Sequence, residues 1–362
     1  MGEKSGIGWT DATFNPWWGC WPVSPGCALC YAAREAERYG WTEGGGSGPD
    51  LWQKQGPRRV FGEAHWSGKN SPRRWATTLP AELGRRPRVF TASMADIGED
   101  HPIAEQERPK LWALIEDTPQ LDWLLLTKRV ETARQWLPAR WLEPGGWPAH
   151  AWFLFSAEDQ QRFDERLPYI LDIPAPVLGC SYEPSLGGID FRAGLSIAWQ
   201  CSFCRRYFPG PYQKTCPACS REYGWSGSHR FNPPRGQRGP GLNWIIAGGE
   251  SSRPRDRARA PHPSWFRSAR DQAVAAGVAF FFKQWGEFAP LNEGATGSFG
   301  DVWVCDNGNG QAVHRQKWEP GSQGAEPGRW GAGDVLMRPV GKQAAGEHLD
   351  GKLWHQFPGG AP

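Results

Sequence analysis

The sequence predicts an α/β protein built on a partial or complete parallel (β/α) barrel, interrupted by an inserted cysteine-rich module. Three observations predict it. Short apolar runs recur along the chain, most of them followed by a helical stretch. Each run ends on a polar or charged residue. One segment, 193–241, breaks the alternation and carries four of the nine cysteines. Continuous apolar strands separated by helices indicate a parallel sheet buried on both faces. A doubly wound open sheet shares that alternation, because strand count alone does not close a barrel.

A first strand is expected around Gly8 to Phe14. "RVFTAS" ends at Ser93, and an amphipathic helix of about fifteen residues starts near Ile103. "DWLLLT" ends at Thr127, with a short helix after Val130. "AWFLFSAE" ends at Glu158 and leads into the helical "DQQRFDERLPYIL". "PVLGCSYE" ends at Glu183. "NWIIAGGE" ends at Glu250, before the helix "PSWFRSARDQAVAAG", and "VAFFFKQ" closes the series at Gln284. Residues 40–87, rich in Gly, Pro, Arg and Trp, show no period and have room for another strand and helix. The expected organisation is a first barrel part over 1–192 with a cysteine loop at 19–31, an inserted module over 193–241, a last barrel part over 242–289, and an irregular capping extension over 290–362.

With 362 residues, 39% of them hydrophobic, the chain can bury a sizeable core. Its 23 tryptophans read first as an aromatic-rich core and only second as base-stacking platforms. The formal charge of +3 is too small to argue for nucleic acid by itself. Its distribution says more: residues 193–241 hold seven Lys/Arg against one Glu, so the rest of the chain is net acidic. No apolar h-region follows the opening MGEKSGIGWT, and the longest apolar run, Ala273 to Phe282, is too short to span a bilayer. The expectation is a soluble, cytoplasmic protein without a membrane partner, whose cysteines are reduced or metal-bound.

Polar residues gather where the strands end: Asp96, Lys128 and Arg129, Glu158, Glu183, Glu250, then Lys283 and Gln284. That rim is where (β/α) barrels build active sites, because loops from separate strands converge there. One such charge is simply a strand meeting solvent; six strand ends of mixed sign point to an enzyme.

"GCWPVSPGCALCY", at 19–31, follows the first strand and carries Cys20, Cys27 and Cys30. Three thiolates suit a [4Fe–4S] cluster with one iron left open, since soft sulfur ligands select Fe–S clusters or zinc. The other reading is a structural zinc completed by a distant ligand such as His65. Spacing leaves both open, and the enzyme-like rim favours the cluster.

The stretch "IGWTDATFNPWWGCWPVSPGCALCYAAREAERYG" resembles the opening of the phage Gp37/Gp68 family, the three-Cys-motif, DUF5131-type proteins of phages and mobile elements. The resemblance continues through "VFTASMADIGED", "LLLTKRVETARQWLP", "CSYEPSLGGID", "IIAGGESSRPRDRARAPHPSWFRSARDQAVAAGVAFFFKQWGEF" and "GKQAAGEHLDGKLWHQFP". The family looks like a divergent branch of the radical S-adenosylmethionine enzymes, which use a partial (β/α) barrel. The resemblance implies that Cys20, Cys27 and Cys30 hold the cluster and that its open iron takes the amino and carboxylate groups of S-adenosylmethionine. It also implies a 5′-deoxyadenosyl radical and an electron donor protein as partner. The first cysteine gap is six residues, against the three common in radical S-adenosylmethionine enzymes. Gly248-Gly249-Glu250 follows a late strand, whereas those enzymes often carry Gly-Gly-Glu after an early one.

On this basis Lys128, Glu158 and Glu183 are the candidate catalytic residues. Asp96, Arg129, Gly248, Gly249, Glu250 and Lys283 are the candidate cofactor-binding residues. Cys180 and Cys305 read as inert lone thiols.

A second cysteine group has the pattern Cys201-x2-Cys204-x11-Cys216-x2-Cys219. Paired C-x2-C knuckles at this separation indicate a closed tetrahedral zinc site, structural by default. Arg205, Arg206, Lys214 and Arg221 surround it, interleaved with Tyr207, Phe208 and Tyr212. Such a module suits nucleic-acid contacts, although a solvated basic face gives the same composition. The function expected is therefore a radical S-adenosylmethionine-type enzyme whose substrate would be nucleic acid or a nucleotide. The alternative is a non-catalytic zinc-binding, nucleic-acid-interaction protein. A metal-dependent hydrolase is disfavoured by the scarcity of histidine on the rim.

Overall fold

The computed structural model describes residues 3–38, 48–195, 199–200, 207–208, 241–252, 258–291, 298, 301–305, 315–317 and 334–359. Seven parallel strands form the central sheet: β1 (Ala12–Phe14), β2 (Arg88–Thr91), β3 (Asp122–Thr127), β4 (Ala151–Ser156), β5 (Leu178–Tyr182), β6 (Trp244–Gly248) and β7 (Ala279–Gln284). They lie side by side in chain order. Among the described residues β1 joins the sheet through β2 and β7 through β6, and no ladder joins β1 to β7. The sheet is therefore an open, partial (β/α) barrel.

Its curvature is visible in which side chains meet. Phe90 of β2, Leu124 of β3, Trp152 and Leu154 of β4, Trp244 of β6 and Phe281 of β7 form one buried cluster around Trp9. Residues from both ends of a flat seven-stranded sheet could not touch. Here Trp9 reaches Phe90 at 4.7 Å and Trp244 at 6.2 Å between ring centroids. The alternate residues, such as Val89, Leu125, Phe153, Phe155 and Phe282, face outward against the helices. Each strand is apolar on both faces because each face is covered.

The outer layer contains α1 (Tyr31–Arg38), α2 (Pro72–Leu83), α3 (Pro102–Asp117), α4 (Gln160–Ile170) and α5 (Pro263–Ala275). Their starts are written in the sequence. Asp159 caps α4 by accepting from the Arg162 N–H at 2.9 Å. His101 and His262 cap α3 and α5, each followed by proline at the first helical position. The unpatterned 40–87 region contributes α2 and a short helix over Glu63–Ser67. Among the described residues a bridge between Trp18 and Arg59 pairs it with the loop after β1.

The gap between β1 and β7 is filled rather than bonded shut. Ile7 and Trp9 enter it from one side, and Phe357 packs from the C-terminal tail. The tail runs along β7, with the Phe282 N–H donating to the Trp354 carbonyl at 2.7 Å and the Gln356 N–H to that of Phe280 at 3.1 Å. Between barrel and tail, the segment expected to be irregular contains short antiparallel strands: Phe288–Pro290, Val302–Val304, Arg315–Lys317 and Val335–Pro339. Strands of three to five residues carry too little alternation to be read from sequence. Trp199–Gln200 pair with Tyr207–Phe208 within the 193–241 insertion. Cys201, Cys204, Cys216 and Cys219 lie outside the described residues, as does the bulk of that basic module. Among the described residues no helix is long and apolar enough to cross a membrane.

Candidate functional site

Side-chain size along the strands opens the site. Low in the barrel the inward positions are Phe90, Leu154, Ile246 and Phe281, which fill the interior. One step on they become Ala92, Ser156, Gly248 and Lys283. Small side chains at the C-terminal end cannot meet across the barrel. The space left is a cavity of about 390 Å³, within the range of small-molecule sites. Ala92, Leu126, Ser156 and Ser181 form its floor, and Cys20, Cys27 and Cys30 form part of its wall.

The cysteine loop starts at a position that demands glycine. Gly19 has φ of +116°, and a Cβ there would stand 2.7 Å from the Leu51 carbonyl oxygen. Its N–H donates to Met94 O at 3.0 Å, and the Cys20 N–H to Leu51 O at 3.0 Å. Asn15, fully buried at the end of β1, fixes the neighbouring β2 loop by accepting from the Met94 N–H at 2.6 Å.

Beyond Cys20 the loop is held by three ion-paired rim groups. Arg129 donates to the Trp21 carbonyl at 2.6 Å and lies 3.4 Å from the Cys20 sulfur. Asp96 holds that guanidinium at 2.9 Å. Next, Ser24 donates to Glu158 at 2.5 Å, and Glu158 also pairs with Lys128 and Arg166, each at 3.1 Å. Finally, Arg259 donates to the Pro25 carbonyl at 3.0 Å while paired with Glu250. Gly26 is required between these holds, because a Cβ there would fall 2.4 Å from Glu158 Oε1. The strand-end charges thus fix the conformation of the three-cysteine loop.

This arrangement sorts the residues singled out from sequence. Asp96 has its oxygens engaged by Thr127 at 2.6 Å, by the Gly98 and Lys128 N–H groups at 2.9 and 3.0 Å, and by Arg129. Burial raises its carboxyl pKa, but Arg129 and those hydrogen bonds outweigh it and keep the group ionised. Asp96 is a positioning residue for Arg129. Glu158, with no exposed surface, sits beneath the loop. Burial opposes its charge too, yet Lys128 and Arg166 hold its pKa at about 2. Lys128 reaches the cavity wall, as do Arg129, Glu183, Glu250 and Lys283. Glu183 and Lys283 pair at 2.8 Å across it.

Gly248 and Gly249 have packing reasons of their own. A Cβ on Gly249 would stand 1.9 Å from the Trp285 carbonyl oxygen, and one on Gly248 2.6 Å from Glu183 Oε1. We expect Gly249→Ala to destabilise the fold by at least about 2 kcal/mol, since backbone must move to admit the methyl. A urea midpoint equal to that of the parent would refute this contact. Sequence reading missed Arg166, Arg259 and Ser24. Arg166 had a signal, lying eight residues after Glu158 on the face of α4 that turns to the sheet. Arg259 was hidden in the basic run "RPRDRAR".

The three thiols are half-buried and free of disulfides. Among the described residues no three His, Cys, Asp or Glu side chains already converge as a ligand set, so the thiols share a wall rather than one focus. Burial pushes the Cys20 thiol up to about 12, although Arg129 opposes the shift. Such a thiol stays protonated until a metal displaces its proton. Three soft donors on one glycine-bearing loop, facing a cavity, fit an iron–sulfur cluster. His65 does not complete a zinc site with them. Its ring is stacked between Phe14 and Phe61 at 4.6 and 4.3 Å, and its Nε2 lies 2.9 Å from the Asn15 carbonyl.

Fold and site together define a partial (β/α)-barrel protein with a candidate metal centre at its C-terminal rim. The chain belongs to the family described as "Protein of unknown function (DUF5131)", whose model matches residues 4–358. No curated protein matches it. Among solved structures it is similar to spore photoproduct lyase complexed with dinucleoside spore photoproduct, at 14% identity and a TM-score of 0.33, over 51% of this chain and 48% of that one. A double mutant of the same lyase with bound AdoMet and dinucleoside spore photoproduct matches at 14% identity and a TM-score of 0.32, over 48% and 46%. The chain therefore spans about half the length of the structures it matches.

Proposed function

We propose that this chain is a radical S-adenosylmethionine-type enzyme. The observation that supports it most is the three-cysteine loop, clamped at three points by rim ion pairs and facing a cavity of cofactor size. Cys20, Cys27 and Cys30 would hold a [4Fe–4S] cluster. The cluster and S-adenosylmethionine, when bound, would supply one-electron reductive chemistry and hydrogen-atom abstraction from the substrate. The chain's own residues do the remaining work. Ser156 and Ser181 offer hydroxyls at the cavity floor. Lys128 and Glu183 present charge of opposite sign to whatever binds, and Leu126 and Trp9 exclude water from below. An electron donor protein supplies the reducing equivalent. A nucleic acid or nucleotide is the proposed substrate class, and zinc in the Cys201/Cys204/Cys216/Cys219 set would staple the insertion.

Anaerobic purification with iron, sulfide and zinc analysis tests this reading. We expect about four irons and four sulfides per chain, lost in a Cys20/Cys27/Cys30→Ala variant that retains one zinc. Reduction in the presence of S-adenosylmethionine should then release 5′-deoxyadenosine. Zinc at both cysteine groups and no iron, even after anaerobic reconstitution, would sink the radical reading and favour a zinc-binding protein without catalysis.

A further inference from the structure

One rim cation reaches into the cysteine loop as far as a sulfur. Arg129 Nη1 donates to Cys20 Sγ at 3.4 Å. Holds that do not involve that sulfur fix the guanidinium. Asp96 pairs with Nη1 at 2.9 Å, the Trp21 carbonyl accepts from Nη2 at 2.6 Å, and the Trp21 ring centre lies 4.7 Å away. The backbone is fixed as well, since the Arg129 N–H donates to Thr127 Oγ1 at 2.9 Å. Arg129 is only 5% exposed, so water competes little for these bonds. A contact built this way belongs to the fold, not to a mobile side chain resting on a thiol.

Cys27 is placed differently. Ser24 Oγ stands 3.7 Å from its sulfur, but the single hydroxyl proton of Ser24 goes to Glu158. Ser24 therefore has none to give to a thiolate. The Arg129 guanidinium, in contrast, keeps a donor in reserve. Its Nε is buried and, among the described residues, has no hydrogen-bond partner. A buried donor without an acceptor is costly, and a cluster on Cys20 would bring anionic sulfur close to it.

We propose that Arg129 sets the reduction potential of the cluster held by Cys20, Cys27 and Cys30, through its N–H donation to the Cys20 sulfur. An electron added to a thiolate-bound cluster adds negative charge. A donor aimed at a ligand sulfur stabilises the reduced form more than the oxidised one, so the potential rises. Burial acts the other way, since apolar surroundings disfavour added charge. Asp96 cancels the net charge of Arg129 at longer range and leaves the directed N–H groups as the local effect. With Nη1 and Nη2 both engaged by the chain, Arg129 tunes the centre rather than capturing a ligand carboxylate. The inference deepens the function proposed above and rests on the cluster proposed there.

The test is anaerobic redox titration of the reconstituted full chain, followed by EPR of the reduced centre. Removing Arg129 alone would leave Asp96 as an uncompensated buried charge. The informative variant is therefore Arg129→Met combined with Asp96→Asn, which keeps the summed charge of the pair. We expect its reduced-to-oxidised ratio at a fixed potential to fall at least about tenfold, a shift of about 59 mV for one electron. Ser24→Ala loosens the same loop without altering charge and should leave the potential unchanged. A smaller fall in the double variant, or an equal one in Ser24→Ala, would overturn the inference. Pulsed EPR on the parent needs no substitution: arginine labelled with heavy nitrogen should change a weak nitrogen coupling to the reduced centre. No arginine coupling would overturn the inference even where the double variant fails to hold iron. Iron uptake and 5′-deoxyadenosine release with an unmoved potential uphold the radical reading and sink the role of Arg129. A parent chain that takes up no iron after reconstitution sinks both.

Discussion

Replacing Glu158 by Gln is expected to destabilise the protein by about 3–5 kcal/mol, the usual cost of removing one partner from a buried ion pair. The carboxylate is fully buried, and both Lys128 and Arg166 depend on it for compensation. An amide keeps the shape but leaves two cations facing a neutral group. The same change loosens the Ser24 contact, so the proposed cluster should be held less well, although Glu158 is no cysteine. Its pH dependence has a definite sign. The Glu158 pKa is about 2 in the folded chain, against about 4.3 for an ordinary glutamate. Between those values the unfolded chain binds the extra proton, so stability falls as pH drops through that window, by about 3 kcal/mol in total. Above about pH 5 the contribution is fully present. Urea unfolding from pH 7 to pH 3 should show a steeper loss of stability in the parent than in Glu158→Gln, in which Asp11, Asp96 and Asp350 still titrate from lowered pKa values. A variant within 1 kcal/mol of the parent at pH 7 would mean that the clamp does not hold the loop.

The second large effect is expected from Trp244→Ala. Trp244 is fully buried in the barrel interior, with ring centroids of Trp152, Phe281 and Phe357 at 5.9, 6.4 and 5.4 Å. Truncation leaves a cavity that the neighbouring strands cannot collapse, at a cost of about 3–5 kcal/mol. It also removes a hold on the tail, since the indole N–H donates to the Gln356 carbonyl at 2.9 Å. Phe357 keeps its contacts with Phe281, at 5.4 Å between ring centroids, and with the Arg88 guanidinium, 3.5 Å from the ring centre. Limited proteolysis should therefore nick the variant near Leu353 under conditions that spare the parent. Trp244→Phe, which retains the ring and loses the hydrogen bond, should cost less than half as much. An intact tail in Trp244→Ala would show that β7 pairing alone secures it.

The barrel was legible in the sequence because its strands are continuous apolar runs, most of them followed by a helical stretch. Apolar runs and helical periodicity are local properties, expressed within a short stretch of chain. The rim was legible for the same reason: a charge that directly follows an apolar run must lie where the strand stops. The three-cysteine loop was legible as three closely spaced thiols directly after the first strand. What those charges do was not legible. Asp96, Glu158 and Glu250 look like ligand-binding carboxylates until their partners are known, and the partners Arg129, Arg166 and Arg259 lie 33, 8 and 9 residues away along the chain. Only folding brings those three pairs against Trp21, Ser24 and Pro25 of a single loop. Local physics fixes elements and their ends, since it acts between neighbours in sequence. The balance of buried charge depends on which distant groups share one low-dielectric space, and the tertiary structure alone decided that.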